Sequence, residues 1–461
     1  MMLFVGILML YVTGASILVR FGTRFSWKEM ISFSFLLGIA AQTFFMFIAD
    51  LIGFGFTQLV LFFASFALVI FSYDLLYSYY QEHKQDIKLP AFSLGALNYP
   101  AALLFLLILV LFYIIAQKNL YWPAAEHDSI TSFDKLGMVM ALEGKIKISL
   151  FQYNLQGSGG IYPPLFHGGI AYMYLFGAES PKIITSLFYA TLLLSFYALC
   201  KKYVSAINAL FFTLLLEMVP EMYSHAALLL GNIPTTANVA AAGITLFYWI
   251  DKRENAYLWL SAAFVALSLW TRNDTVGFAV AAVAVVAWVL AKEKDWKRIA
   301  IYATVSFSTL ILWTLYLQFK IDIPQSSRFV DHFGFDAHKM EVMVLYVLSM
   351  ISWLQFGTMS PGHLLYGLAF ILPIIIILLN VKNIRKDHAE KLVFILISFV
   401  VYFMIFYMLD EKKQAAAISE LMESSFKRGM FCFIPLLLFY ASTSSIANSI
   451  STWVENFRLG K

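Results

Sequence analysis

The sequence predicts an all-α protein, a polytopic transmembrane bundle of about thirteen helices with interfacial helices in its external loops. Of its 461 residues, 61% are hydrophobic and only 13% are charged, whereas a typical globular domain carries roughly 25% charged residues. The apolar residues also fall in blocks of about 20, the length that a helix needs to cross the hydrocarbon core of a bilayer. Transmembrane β-strands would instead be about 10 residues long with alternating polarity.

Hydropathy gives the order of the expected spans. They lie near residues 2–19, 30–49, 57–76, 98–116, 182–200, 206–220, 234–250, 257–270, 276–291, 299–319, 361–380, 392–409 and 430–447. The first has no charged region before it and no small-residue cleavage site, so we interpret it as a span rather than a removed signal peptide. We interpret two further apolar stretches, 164–177 and 342–356, as helices in or dipping into the outer interface.

Basic residues predict the orientation of these spans. Lys and Arg concentrate in six loops, 20–29, 82–88, 201–203, 251–255, 292–298 and 381–391. The order of the spans puts all six on one side, which the positive-inside rule makes cytoplasmic. The longest connections, 117–181, 320–360 and 410–429, then face outward, and so does the N-terminus.

Charge and cysteine content exclude two classes of protein. The net charge of +4 does not indicate a nucleic-acid partner, because no loop or helix presents a basic face for a phosphate backbone. Two cysteines, Cys200 and Cys432, are too few for a disulfide framework or a metal site built on thiolates.

The first long external loop carries three adjacent titratable residues. Glu126, His127 and Asp128 follow Trp122 and Pro123, a few residues beyond the span at 98–116. The residues after them have apolar side chains at helical spacing. Asp128 or Ser129 is therefore a candidate N-cap of an interfacial helix. A capping role and a chemical role both stay open, and one carboxylate can fill both.

Several features then follow in a fixed order: an amphipathic helix ending in EGKIK (143–147), the motif YPPL (162–165), and an apolar stretch ending in FG (176–177). Together with an acidic residue just after an outward-going span, this order resembles the first external loop of the GT-C superfamily of membrane glycosyltransferases. Protein O-mannosyltransferases and lipid A aminoarabinose transferases belong to that superfamily. The resemblance covers roughly residues 98–290 and a short C-terminal stretch.

We therefore divide the single transmembrane domain, 1–461, into three parts. Residues 1–97 are extra N-terminal spans, 98–291 are a GT-C-like core containing the loop 117–181, and 292–461 are C-terminal spans.

Two more segments are similar to the pattern of that superfamily. WTRNDT (270–275) is expected on the outer side, and SSFKRGMFCFIP (424–435) opens the last span. In the second segment, Gly429 stands where the resemblance implies an aromatic residue. The chain also departs from many members in its three spans before the loop, in Glu-His-Asp in place of a plain acid pair, and in lacking a large soluble C-terminal domain. The last departure disfavours sequon-type oligosaccharyl transfer.

The resemblance implies transfer of a sugar from a polyprenyl-phosphate donor to a lipid, glycan or protein acceptor on the outer face. Such a reaction needs a carboxylate that takes the acceptor's proton and cations that hold the donor phosphate. We predict Asp128 as the base, with Glu126 as the competing assignment. We predict Arg428 and Lys427 as phosphate ligands, and Arg272 either as a third or as the structural partner of Asp274. For each cation, ordinary snorkelling at the end of a span is the alternative.

The resemblance leaves the acceptor site less defined. We predict acceptor or sugar contacts for His127, Tyr162 and Glu221. Glu217 and His225 either help to line this site or mark a helix end in water. Further candidate sugar contacts are Tyr153, Arg328, Asp331, His332, Asp336, His338 and Trp353. For Tyr153, Tyr162 and Trp353, an interfacial aromatic belt is the alternative. No cofactor is predicted, and a divalent ion at His127 is the alternative.

The rival reading is a multi-span transporter, or a flippase or polymerase for lipid-linked glycans. Transporters place ionisable residues near the bilayer midplane, whereas the middle of the spans here is almost purely apolar. A polymerase is expected to carry its essential groups in a large late loop, whereas the motif-rich loop here comes early. We expect a plasma (bacterial inner) membrane protein with its site on the external, periplasmic side, because no endoplasmic-reticulum retention signal ends the sequence.

Overall fold

A computed structural model describes residues 1–22, 25–84, 99–152, 162–321, 335–352, 361–385, 387–408, 415–447 and 449. Within these ranges the regular structure is helical throughout and includes no strand. The all-α prediction is therefore confirmed for this part of the chain.

The first half of the chain contains eleven helices in these ranges. They are α1 (Met2–Leu18), α2 (Trp27–Leu51), α3 (Gln58–Phe71), α4 (Tyr73–His83), α5 (Tyr99–Tyr121), α6 (Lys135–Glu143), α7 (Ser149–Gln152), α8 (Leu165–Leu175), α9 (Ile183–Cys200), α10 (Ala206–Glu217) and α11 (Pro220–Ala226).

The second half of the chain contains ten helices in the same ranges. They are α12 (Asn232–Lys252), α13 (Asn255–Thr271), α14 (Val276–Ala291), α15 (Trp296–Tyr316), α16 (Ala337–Ser352), α17 (Pro361–Leu379), α18 (Ala389–Tyr407), α19 (Ala415–Leu421), α20 (Lys427–Gly429) and α21 (Phe433–Thr443).

Several of these helices have the length and composition of membrane spans. Among the residues described, seven are long and apolar enough to cross a bilayer, or nine if the bent pairs α3–α4 and α10–α11 each form one span. The seven are α2, α5, α9, α12, α14 with the turn before it, α15 with the turn after it, and α18. These helices are compatible with a helical membrane bundle, and the count of thirteen stays a prediction.

The basic loops lie together at one end of the bundle. Lys202 Nζ pairs with Glu29 Oε1 at 2.8 Å, and Tyr203 next to it donates to Asp251 at 2.7 Å. Asp251 also pairs with Lys391 at 2.6 Å. Two further ion pairs join this group, Arg253–Glu293 and Lys292–Glu390. We call this end, which contains five of the six basic loops, the basic end.

Two glycines allow α1 and α2 to pack with their backbones in contact. A Cβ atom on Gly14 would lie 1.7 Å from the Ser34 carbonyl oxygen, and one on Gly38 would lie 1.9 Å from that of Leu10. Small residues permit such close approach in membrane bundles, where contact depends on van der Waals packing.

The short helix α8 lies against the N-terminus of α1 and does not cross a membrane by itself. Its 11 residues span about 16 Å, roughly half of the hydrocarbon thickness. Tyr172 donates to the Gly6 carbonyl at 2.8 Å, at the end of α1 away from the basic end. This placement fits the interpretation of 164–177 as a helix near the interface.

The amphipathic helix predicted after Asp128 is present. A π-helical turn over Ser129–Asp134 leads into α6, and Gly144 ends it in the left-handed conformation with φ 62°. The N-cap prediction is wrong, however. Asp128 already has helical φ and ψ and its side chain makes no capping hydrogen bond, whereas a capping side chain requires an extended residue. The Ser129 hydroxyl does not cap either and instead donates to Glu126 at 3.4 Å.

Candidate functional site

Four segments that are far apart in the sequence meet at the end of the bundle away from the basic end. They are the acidic run Glu126–Asp128 after α5, helix α11 after α10, the turn Arg272–Thr275 after α13, and the segment Lys427–Cys432 before α21. We call this convergence the candidate site. These segments contain seven of the eight residues that the sequence analysis assigned to catalysis, phosphate binding or acceptor binding. The eighth, Tyr162, lies outside them with its ring beside Arg272.

Asp128 and Arg428 face each other across the candidate site. The closest approach, between Asp128 Oδ2 and Arg428 Nη1, is 3.9 Å, and the side chains are 48% and 39% exposed. This distance is longer than a hydrogen bond. Both charged groups are therefore accessible to a molecule that enters between them.

Arg272 is held inside the protein by several partners. Its Nε donates to Asp274 Oδ1 at 3.1 Å, its Nη2 donates to Asp274 Oδ2, and its Nη1 donates to Asn232 Oδ1 at 2.9 Å. Burial alone would lower the pKa of Arg272, but the Asp274 carboxylate outweighs it and raises that pKa above its ordinary value. The pair with Asp274, one of the two roles left open for Arg272, is present, and the role at a phosphate stays a prediction.

Lys427 also has a protein partner. It forms an ion pair with Glu221 of α11, and its side chain is 8% exposed. The predicted roles of Lys427 at a phosphate and of Glu221 at an acceptor therefore compete with this pair. Arg428, at 39% exposed, is the more accessible of the two neighbouring cations.

Tyr402 of α18 fills the space beside Gly429. A Cβ atom on Gly429 would lie 1.7 Å from the Tyr402 hydroxyl oxygen. Both residues line a narrow pocket with Asn232, Arg272, Asp274, Arg428 and Cys432. Tyr402 thus places an aromatic ring beside position 429, where the resemblance led us to expect an aromatic residue.

The acidic run is anchored by a lysine that the sequence analysis did not single out. Lys182, 3% exposed, donates through Nζ to the carbonyl oxygens of Trp122 and Pro123, both at 3.2 Å. Burial lowers the pKa of Lys182, while the charge of Glu126 acts in the opposite direction. His127 is 87% exposed and lies 3.8 Å from the Asp128 carboxylate.

Three rings stack beside Arg272. Phe133 lies parallel to Tyr162 at 6.3 Å and to His167 at 5.1 Å between ring centroids. The Arg272 guanidinium carbon lies 5.3 Å from the centre of the Tyr162 ring, within cation–π range. His167 is 2% exposed, and burial lowers its pKa to about 4. Sequence reasoning missed this histidine because nothing in the YPPLFH segment marks it as buried.

Two further sequence candidates lie at the start of α16. Asp336 caps α16 by accepting from the Lys339 backbone N–H at 3.1 Å, and His338 is exposed at the start of that helix. Tyr153, Arg328, Asp331, His332 and Trp353 lie outside the described residues. Within the described ranges, no group of three or more His, Cys, Asp or Glu side chains is placed to hold a metal ion.

No protein-family model, no curated protein and no solved structure matches this chain.

Proposed function

We propose that the protein is a GT-C-like glycosyltransferase that moves a sugar from a polyprenyl-phosphate donor to an acceptor hydroxyl at the external membrane face. The observation that carries this proposal is the approach of Asp128 to Arg428 across the candidate site. One group can accept a proton and the other can hold a phosphate. They come from segments 300 residues apart that the motif resemblance had selected independently.

In the proposed reaction, the acceptor hydroxyl oxygen attacks C1 of the sugar while the Asp128 carboxylate takes the proton of that hydroxyl. The bond between C1 and the phosphate oxygen breaks, and its electron pair stays on the lipid phosphate. Arg428 holds that phosphate through charge-assisted hydrogen bonds, which strengthen as negative charge develops. The Arg272–Asp274 pair supports the neighbouring pocket wall, and Tyr162 offers a ring face to the sugar.

The proposal is tested by assaying the parent, Asp128→Asn and Glu126→Gln in detergent against a panel of polyprenyl-phosphate sugars with candidate acceptors. Removing a general base typically costs 10²–10⁴-fold in rate, so we expect Asp128→Asn to lose about 100-fold or more and Glu126→Gln much less. The matched control is Asp295→Asn, because Asp295 lies at a helix start on the basic end and Asn also caps helices. Full activity of Asp128→Asn would remove this residue from the chemistry.

Transport is the second candidate function, and one observation favours it. Glu217, at the end of α10, is fully buried, and neither of its carboxylate oxygens has a hydrogen-bond partner among the described residues. Buried carboxylates in membrane bundles often lie on ion or proton paths. Translocation of a fluorescent lipid-linked sugar in proteoliposomes, abolished by Glu217→Gln and retained by Asp128→Asn, would favour a flippase over an enzyme.

A further inference from the structure

His225 lies beside the candidate site and has no part in the proposed reaction so far. It belongs to α11, four residues after Glu221. Its ring packs edge-on against Phe431, with 5.1 Å between centroids, and its Nδ1 lies 3.1 Å from Asn232 Nδ2. A chain of contacts therefore runs from Asp274 through Arg272 and Asn232 to His225.

This chain of contacts fixes which ring nitrogen of His225 carries the proton. A guanidinium has donors and no acceptor, so Arg272 must meet the oxygen of Asn232, as the 2.9 Å contact with Oδ1 has it. The amide nitrogen of Asn232, a donor, then faces His225. Because Nδ1 has to accept this hydrogen bond, the proton of the neutral ring lies on Nε2.

The charges around His225 favour the same state. Lys427 and Arg428 both repel a positive charge on this ring. If Nδ1 were protonated, its N–H would also face the amide N–H of Asn232, and two donors cannot hydrogen-bond to each other. Phe431, the other packing partner, carries no charge. Asn232, Lys427 and Arg428 thus all disfavour the doubly protonated ring.

We infer that His225 is held as the neutral Nε2–H tautomer and donates this N–H to a phosphate oxygen of the donor bound beside Arg428. The inference rests on the proposed function and adds a ligand contact to it. Nε2 hydrogen-bonds to no other side chain or carbonyl in the described part of the chain. His225 contacts Asn232 and Phe431. Asn232 lines the same pocket as Arg428, and Phe431 is three residues after Arg428 in the chain. The neutral Nε2–H orients the phosphate through a directional hydrogen bond and adds no third positive charge beside Lys427 and Arg428.

Two substitutions separate the two ring nitrogens. His225→Gln places an amide N–H near the position of Nε2, whereas His225→Asn reaches only as far as Nδ1.

A third substitution, Asn232→Asp, changes the tautomer. It keeps an oxygen that accepts from Arg272 but turns its other oxygen, also an acceptor, toward His225, so Nδ1 must gain a proton. His83→Asn is the matched control, since His83 bonds the Tyr79 carbonyl on α4, far from the candidate site.

The tautomer is measured by nitrogen-15 NMR of histidine-labelled protein in detergent at pH 7.5, with His225→Gln identifying the resonances. We expect an unprotonated Nδ1 and a protonated Nε2, and protonation of Nδ1 in Asn232→Asp. A protonated Nδ1 in the parent would overturn the inference regardless of the protein's activity.

The ligand contact is measured with dodecyl phosphate as the probe. Hydrogen bonds to charged groups contribute roughly 1.5–3 kcal/mol, so we expect about 10-fold or greater loss of affinity in His225→Asn. His225→Gln and His83→Asn should stay within about 3-fold of the parent. Parent-like affinity in His225→Asn would overturn the role of His225 and leave the proposed function standing. If the parent itself does not bind dodecyl phosphate, the phosphate site of the proposed function fails, and this contact fails with it.

Discussion

Gly429 is tightly packed in the candidate site. The backbone around it passes the Tyr402 hydroxyl so closely that no Cβ atom fits. Tyr402 also donates to the Phe426 carbonyl at 3.3 Å, on the turn before Lys427. The orientation of Arg428 therefore depends on Gly429, the next residue, and on the Tyr402 ring of α18.

We predict that Gly429→Ala lowers the stability of the protein by about 1–3 kcal/mol, the usual cost of overpacking. Thermal unfolding in detergent measures this effect. Gly55→Ala is the control, because the nearest atom to its added Cβ would be at 3.5 Å, an ordinary contact. Equal melting temperatures for Gly429→Ala and the parent would show that Tyr402 does not occupy this space.

The sequence predicts the charged residues of the site better than the uncharged ones. Asp128 and Arg428 stand out because they lie in the segments whose order and composition resemble the motifs of the superfamily. Asn232 and Tyr402 lie within or at the ends of such blocks, and their contacts join segments that are far apart in the chain. Lys182 is charged but resembles any lysine at the start of a span. The partners of these residues depend on tertiary packing, which hydropathy does not report.

At the scale of helices, the segment around Ser72 shows a limit of hydropathy. The sequence predicts one span over 57–76, yet the chain bends by 64° between α3 and α4. Arg20 donates to the Ser72 hydroxyl at 3.1 Å and to the Phe71 carbonyl at 3.0 Å. Arg20 thus satisfies a backbone carbonyl at the break from a position 51 residues earlier in the chain. The break between α10 and α11 falls at Pro220, and proline is a signal that a sequence does carry.

Asp387 joins the turn before α18 to the end of α21 at the basic end. It accepts from the Ser445 backbone N–H at 2.8 Å, from the Ser445 hydroxyl and from Asn380. Burial alone would raise the pKa of Asp387, but these hydrogen bonds outweigh it and lower that pKa below 3.8.

A carboxyl group whose pKa is lower in the folded state contributes stability above its unfolded pKa, and this contribution is lost as pH falls through the folded pKa. We therefore predict that the parent loses melting temperature more steeply than Asp387→Asn between about pH 5 and pH 2. The exposed Asp74 of α4 supplies the control, Asp74→Asn. Parallel curves for the parent and Asp387→Asn would contradict the assignment.

At the scale of the whole molecule, both ends of the bundle contain buried and exposed charges. The ion pairs of the basic end range from nearly buried, as in Lys391–Asp251 with side chains 5% and 11% exposed, to nearly half exposed, at 47% and 45%. The candidate site leaves Asp128 and Arg428 about half open, with 3.9 Å between their charged groups. Under the proposed function, these two groups are the charges open to substrate.

We predict that the candidate site faces outward. His127→Cys, at a position 87% exposed, should react with a membrane-impermeant maleimide in intact spheroplasts. Lys297→Cys, exposed at the basic end, should react only after permeabilisation. The native Cys200 and Cys432 are buried, so we expect little maleimide labelling of these two residues. The reverse labelling pattern would invert the topology and contradict an external active site.

The all-α class and the common location of the basic loops follow from the sequence because both depend on composition and order. The convergence of the site segments does not, since it depends on how α5, α10, α13 and α21 pack. The resemblance selected three of the four segments that meet, and the packing pairs their side chains.

The central claim is that Asp128 acts on the acceptor and Arg428 on the donor phosphate. Single-turnover kinetics with a radiolabelled polyprenyl-phosphate sugar separates the two roles. We expect Asp128→Asn to bind the donor within about 3-fold of the parent while transferring the sugar about 100-fold more slowly. We expect Arg428→Gln to weaken donor binding by about 10-fold or more. Unchanged donor binding in Arg428→Gln together with unchanged transfer in Asp128→Asn would contradict the account.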